Sequence, residues 1–217
     1  MNAELLSRLT ELTETGKINK ALAKGQDGVD EVTKQALDEG FAPDVVLEAL
    51  VKGMSAIGEK FSQGKAFVPN MLMAARAMNA GMAHLKPFFS SGQVKRKGTF
   101  VIGTVFGDLH DIGKNLVAMM VEGSGWEVID LGVDVKPEKF ADAISQHPDC
   151  VVGLSALLTT TMGNMETVLN VLREKYPTQK IIIGGAPVSQ SFADTIGANG
   201  YSSNPQGAVE LLNKLIA

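Results

Sequence analysis

The sequence predicts an α/β chain: an N-terminal antiparallel four-helix bundle, then a doubly wound, flavodoxin-like sheet of five parallel strands. Three observations carry that expectation. Residues 1–90 repeat their apolar positions at three- and four-residue intervals, the period of an amphipathic helix. From residue 99 onward, short β-rich runs alternate with helical stretches, as in consecutive βαβ units. Between the two halves, residues 91–98 are mostly polar, with two glycines and the Lys95-Arg96-Lys97 run, and read as a linker, so the expected domains are 1–90 and 99–217.

The first helix is expected over Glu4 to Thr15, with Leu5, Leu6, Leu9 and Leu12 on one face and Gly16 ending it. Val29 to Glu39 is the second, closed by Gly40 at the position where a left-handed C-terminal residue is favoured. Pro43 opens the third, where a missing N–H costs nothing, and Val46, Leu47, Leu50, Met54 and Ile57 form its apolar face. Pro69 opens the fourth, which runs through Met71, Leu72, Ala75, Met78, Met82 and Leu85. Its methionines, Met73 included, read first as core packing, because a flexible thioether fills irregular gaps. Short connections between four such helices imply a bundle.

In the second half the strands are expected at Thr99–Thr104, Trp126–Leu131, Cys150–Ser155 and Lys180–Gly184, with a short fifth at Gly200–Tyr201. The helices between and after them are Gly113–Gly123, Pro137–Gln146, Met162–Lys175 and Pro205–Leu215. The expected strand order is 2-1-3-4-5. Its topological switch point falls between strands one and three, and ligands bind such sheets there, at the carboxyl ends. The loop after strand one carries Asp108 and His110; the loop after strand three carries Ser155, Thr159, Thr160 and Thr161; the loop after strand four carries Gly184 and Gly185.

Composition excludes several classes. A formal net charge of -4, with no basic block beyond Lys95-Arg96-Lys97, argues against nucleic acid as a partner. No apolar stretch reaches spanning length, so no membrane is expected, and the polar start from Asn2 to Arg8 is not a signal peptide. Cys150 is the sole cysteine, which rules out an internal disulfide and suits the cytoplasm.

The chemistry of the convergent loops narrows further. No Gly-x-Gly-x-x-Gly follows strand one. Gly107 to Asn115 approaches a P-loop, but has one residue too many between the glycines and Asn115 where a hydroxyl would hold magnesium. Protein-only zinc sites need three or four side-chain ligands, and His84 and His147 have no ligand partners in sequence. A lone ligand at His110 makes sense where a macrocycle supplies the rest of the coordination sphere. Asp108 can then accept a hydrogen bond from the other ring nitrogen, fixing the tautomer and raising ligand basicity.

Asp108-x-His110-x-x-Gly113, then 41 residues, Ser155-x-Leu157, then 26 residues and Gly184-Gly185, resembles the signature of cobalamin-binding domains. The helical half is similar to the cap that accompanies this domain in methionine synthase and in small corrinoid proteins. The resemblance covers essentially the whole chain. In size it is most similar to the stand-alone corrinoid proteins of anaerobic methyltransferase systems, which serve methylamines, methanol, betaines or methoxylated aromatics.

The resemblance implies a bound cobalamin, base-off and His-on, passing between methylcobalamin and the Co(I) corrinoid. His110 would be the lower axial cobalt ligand in place of the cofactor's dimethylbenzimidazole. Asp108 would hold and polarise it, and Thr161 would extend the relay where the family often has serine. Gly113 would let the helix start close to the displaced nucleotide tail. Ser155, Leu157 and Thr159 would line the channel for that tail, and Gly184 and Gly185 would let backbone approach it. The bundle would cover the upper corrin face and move aside on the linker.

The implied function is methyl carriage. A substrate-specific methyltransferase delivers the methyl group, a second methyltransferase with tetrahydrofolate or a thiol coenzyme as acceptor removes it, and a reductive activator restores Co(I). The chain would not be catalytic alone. Two alternatives share the cofactor. A cobalamin-dependent sensor would usually add a DNA-binding domain, and the small subunit of an adenosylcobalamin mutase does not usually carry this bundle.

Overall fold

The computed structural model describes residues 3–19 and 26–216. The chain divides into two compact units, one of residues 1–96 with 123–125, the other of 97–122 with 126–217.

The first unit holds four helices: α1 (Ala3–Glu14), α2 (Val29–Asp38), α3 (Pro43–Ser62) and α4 (Val68–Ser90). Each of the four touches the other three, as a bundle requires. The expected apolar faces form the core: Leu5, Leu9 and Leu12, then Val46, Leu50, Met54 and Ile57, then Met71, Met78, Met82 and Leu85 are all buried. Leu6, Leu47 and Leu72 lie at the margins and are half-buried, while Met73 is exposed. The segment after α4 folds back on the helix. Ser91, Gly92 and Val94 donate their N–H groups to the carbonyls of Pro87, Phe89 and Phe88, Val94 is buried, and the Arg96 guanidinium lies over the Phe89 ring at 5.0 Å.

The second unit is a five-stranded sheet, all parallel, in the order β2-β1-β3-β4-β5. The strands are β1 (Thr99–Thr104), β2 (Glu127–Asp130), β3 (Val151–Ser155), β4 (Lys180–Gly184) and β5 (Gly200–Ser202). The helices are α5 (Ile112–Gly123), α6 (Pro137–Gln146), α7 (Thr159–Lys175), α8 (Gln190–Ile196) and α9 (Pro205–Ile216). The central strands are near-continuous apolar runs because a parallel sheet is covered on both faces.

Two elements differ from the sequence expectation. Helix α7 begins at Thr159, three residues early, so the threonine run is its first turn. Helix α8 was not expected. Seven residues are too few to display a helical period, although Ser189, which accepts the Phe192 N–H at 3.2 Å, and the left-handed Gly197 mark its two ends.

Register is what places the site. Thr104 pairs with Ser155, Ser155 with Gly184, and Gly184 with Ser202, so four strands end at one level. The loops after β1, β3 and β4 therefore leave from a common edge, which holds every residue singled out by the motif.

Candidate functional site

The loop from Val105 to Asp111 leaves β1 between its two neighbouring strands. Gly107 makes its turn at φ +81°, a conformation that favours glycine, and its N–H donates to Asp134 Oδ1 at 2.7 Å. Asp134, at φ +53°, returns its own N–H to the Asp108 carbonyl at 3.0 Å. From the other side Asn164 of α7 donates to the Phe106 carbonyl at 2.6 Å, and from beneath the buried Thr104 hydroxyl donates to the His110 carbonyl at 2.9 Å. The loop is tied to the β2–α6 loop, to α7 and to its own strand.

Asp108 is the centre of these ties. Its side chain is 0% exposed and its two oxygens divide the work. Oδ1 accepts the His110 N–H at 3.0 Å and pairs with the His110 ring Nδ1 at 2.8 Å. Oδ2 accepts the Leu157 N–H at 2.8 Å, the more distant Leu158 N–H at 3.4 Å and the Thr161 hydroxyl at 2.7 Å. Leu157 and Leu158 lie just ahead of α7, whose N-cap, Leu158, has no side-chain cap of its own. Asp108 supplies from a distant loop the negative charge that a helix N-terminus favours. Burial alone would raise its pKa. The N–H of Leu157, the hydroxyl of Thr161 and the backbone and ring of His110 outweigh that and hold the carboxyl well below the usual carboxylate range.

The paired carboxylate fixes the imidazole. With Nδ1–H donated to Asp108, Nε2 is the lone-pair nitrogen and has no hydrogen-bond partner among the described residues. The His110 side chain is 49% exposed, so Nε2 is accessible. Leu109, the residue before His110, and Ile112, two after it, are each 73% exposed, and Leu157 and Leu158, whose N–H groups bond the same carboxylate, are also exposed. Four large apolar residues left exposed on the two segments joined through Asp108 make this edge a candidate binding surface.

The remaining motif residues are dispersed along the same edge. Ser155 ends β3 half-buried, Thr159 is exposed in the first turn of α7, and Gly113 is exposed in the first turn of α5 with open space where a Cβ would be. Gly184 faces the Ser202 carbonyl, 3.0 Å from where its Cβ would lie. Gly185 is demanded by the chain itself: at φ +134° an added Cβ would sit 1.9 Å from the Ala156 carbonyl oxygen, inside van der Waals contact. Lys114, the lysine of the near-P-loop, turns inward to Asp130 and not toward a phosphate position.

Sequence reasoning found Asp108, His110 and Thr161 but passed over Thr104, Asp134, Asn164 and the apolar group Leu109, Ile112 and Leu158. The signal for Thr104 was its place in register with Ser155. The others are joined only by contacts between distant segments.

The chemistry of the donor set is specific. Among the described residues no group of three or more His, Cys, Asp or Glu side chains is arranged to hold a metal ion. One oriented imidazole beside an apolar platform fits a metal that arrives with most of its ligands in a flat organic ring. Among the described residues no helix is long and apolar enough to cross a membrane.

Comparison with known proteins gives the same direction. Two family models, each described as a B12 binding domain, match residues 98–209 and 16–86. The chain is 39% identical over 207 residues to a corrinoid protein of Desulfitobacterium hafniense strain Y51, covering 92% of this chain and 96% of that one. It is 38% identical over 195 residues to dimethylamine corrinoid protein 1 of Methanosarcina acetivorans, covering 88% and 92%. Its fold matches a chain of the methanol:cobalamin methyltransferase complex MtaBC of Methanosarcina barkeri with a TM-score of 0.83 at 30% identity, over 100% of this chain and 81% of that one.

Proposed function

Because the chain belongs to the B12-binding corrinoid proteins, we propose that it is a methyl carrier, holding cobalamin base-off with His110 as the lower cobalt ligand. The observation that carries this reading is the Asp108–His110 pair, with Nδ1 committed to a buried carboxylate and the imidazole otherwise half exposed. When bound, the corrinoid supplies a cobalt centre that takes up and releases a methyl group.

The chain's own residues supply orientation and electronics. Asp108 keeps His110 in the Nε2-ligating tautomer and makes it a better donor to the metal. Thr161 holds Asp108 from the β3 side, and its hydroxyl, also 2.9 Å from the Leu158 carbonyl, has a second acceptor to which its proton can turn when the carboxylate's charge changes. Leu109 and Ile112, exposed on either side of His110 in sequence, would give a bound ring an apolar surface to rest on, and Leu157 would line the channel for the tail. Ser155, Thr159, Gly113, Gly184 and Gly185 line the shared strand edge, where a displaced dimethylbenzimidazole tail would lie.

Methyl delivery and removal fall to partners: a substrate-specific methyltransferase, an acceptor methyltransferase using tetrahydrofolate or a thiol coenzyme, and a reductive activator. The donor is set by the first partner, since relatives named for dimethylamine and for methanol both resemble this chain. A reducing compartment, the cytoplasm, suits a chain whose sole cysteine is buried and free.

The test is isotopic. Protein labelled with 15N-histidine is loaded with hydroxocobalamin and reduced to the cobalt(II) form. The nitrogen splitting of its electron paramagnetic resonance spectrum then changes from the three-line pattern of 14N to the two-line pattern of 15N. A splitting indifferent to the label assigns the lower ligand to dimethylbenzimidazole and overturns the His-on reading.

A further inference from the structure

Two charged side chains are buried among the described residues, and they bracket the ligand histidine: Asp108 before it, Lys114 after it. The role of Asp108 follows from its contacts with His110. Lys114 bonds through its ammonium group to Asp130 and Asn115 instead, and its side chain is 2% exposed.

Its partners lie on the opposite flank of the loop. Lys114 Nζ is 2.5 Å from Asp130 Oδ2, at the end of β2, and 2.7 Å from Asn115 Oδ1. Asn115 Nδ2 donates in turn to Asp111 Oδ2 at 3.0 Å, beside His110. Asp130 Oδ1 accepts the Gly132 N–H at 2.9 Å, and the Gly132 carbonyl accepts the N–H of Thr104, the last residue of β1, at 3.0 Å. The bonds run from the residue after His110, through the first turn of α5, to β2 and back to β1. Strand order gives this meaning. In β2-β1-β3, Asp108 ties the loop to the β3 side and Lys114 ties it to the β2 side.

An apolar side chain would fill the same place on α5 without the cost of desolvating an ammonium group, and buried ion pairs are often replaceable by apolar residues with no loss of stability. What an apolar side chain cannot do is define one position of the helix start relative to the β2 end.

We propose that Lys114 and Asp130 are positioning residues: their pair fixes the first turn of α5 from the β2 side and so sets the reach of His110 toward the metal. This rests on the His-on cobalamin reading.

The test uses the whole chain loaded with hydroxocobalamin and reduced to cobalt(II), reading the ratio of histidine-coordinated to uncoordinated cobalt from the 15N-histidine splitting at neutral pH. Lys114→Met is expected to lower that ratio about tenfold, the scale at which groups behind a metal ligand act. Asp130→Asn lowers it in the same direction, and Lys114→Arg, which keeps the charge, restores most of it. Lys180→Met, which removes a lysine whose Nζ bonds the Leu215 carbonyl at the other end of its strand, leaves the ratio unchanged. Variants that melt earlier but keep the wild-type ratio show a purely structural pair and overturn the proposal. If Lys114→Met does not fold, Asp130→Asn, changed at the part-exposed end of the pair, decides the matter alone. Wild-type protein without histidine splitting overturns both this proposal and the reading beneath it; wild-type splitting with unchanged variants overturns this proposal only.

Discussion

Two Asp–His pairs of nearly equal length stand among the described residues, and they are not equivalent. Asp108–His110 spans 2.8 Å in the sheet unit and Asp30–His84 spans 2.7 Å in the helical unit. In the first the carboxylate is fully buried and receives further donors from Leu157, Leu158 and Thr161, while the imidazole is half exposed. In the second the carboxylate is 47% exposed and the imidazole 29%. Water competes for Asp30 and screens its charge, so that pair is a modest surface tie between α2 and α4. No water reaches Asp108, and its position is over-determined by three segments. Distance alone would rank the pairs alike; burial and the number of donors separate a fixed imidazole from a surface contact.

The largest expected effect comes from removing each histidine in turn. His110→Ala should abolish histidine splitting in the cobalt(II) spectrum and shorten cobalamin retention on gel filtration. His84→Ala should leave both unchanged. If His84→Ala weakens coordination as much as His110→Ala, the distinction drawn from burial fails.

The next effect divides the two carboxylates. Asp108→Asn keeps the shape but turns an amide NH2 toward groups that are themselves donors, either at His110 or at Leu157 and Thr161. Axial coordination should weaken by about 10–100-fold, as for groups behind other metal ligands. Asp30→Asn, at a surface site, should change stability by no more than about 0.5 kcal/mol and coordination not at all. Denaturant midpoints and the cobalt(II) spectrum measure the two quantities separately.

Acid sharpens the contrast. The folded state holds the Asp108 pKa below its unfolded value. Its contribution to stability is therefore fully present above about pH 4, the ordinary aspartate range, and is lost as pH falls through the lower folded value. The urea midpoint of the apo-protein should fall between about pH 4 and pH 2. Asp108→Asn should start lower at neutral pH and show a flatter acid limb. An acid limb as steep as the wild type's would assign the loss to other carboxylates.

Much of this was legible in the sequence because periodicity and strand order are local or nearly so. The alternation of β-rich and helical runs gave all five strands to within a residue at each end and the correct 2-1-3-4-5 order. Asp108 and His110 were legible because a two-residue spacing brings a carboxylate to its own loop's imidazole. What stayed hidden depends on partners far apart in the chain: Asp134 on Gly107, Asn164 on Phe106 and Lys114 on Asp130. The threonine run read as a loop because its cap is Asp108, some 50 residues earlier, and not a residue at the helix start. Leu109 and Ile112 were not singled out, since sequence cannot tell a side chain left in water from one that is packed.

Those two leucine and isoleucine side chains carry the smallest expected effect, and one that separates binding from folding. Each is 73% exposed, so replacing it with serine removes little buried surface and should barely move the melting temperature of the apo-protein. If a corrin ring rests against them, part of that surface leaves water on loading. Full burial of such a side chain is worth about 1.5–3 kcal/mol, so partial cover by the ring should cost each serine variant about 1 kcal/mol of cobalamin affinity, roughly a fivefold change. Val171→Ser, at a 39% exposed position on α7, is the opposite control: Val171 buries more surface, so its loss should cost some stability and leave affinity unchanged. Equal affinity in Leu109→Ser, Ile112→Ser and the wild type would mean that the ring does not rest on this side of His110. The apolar surface there would then need a partner protein, and not the cofactor, to explain why it is left open.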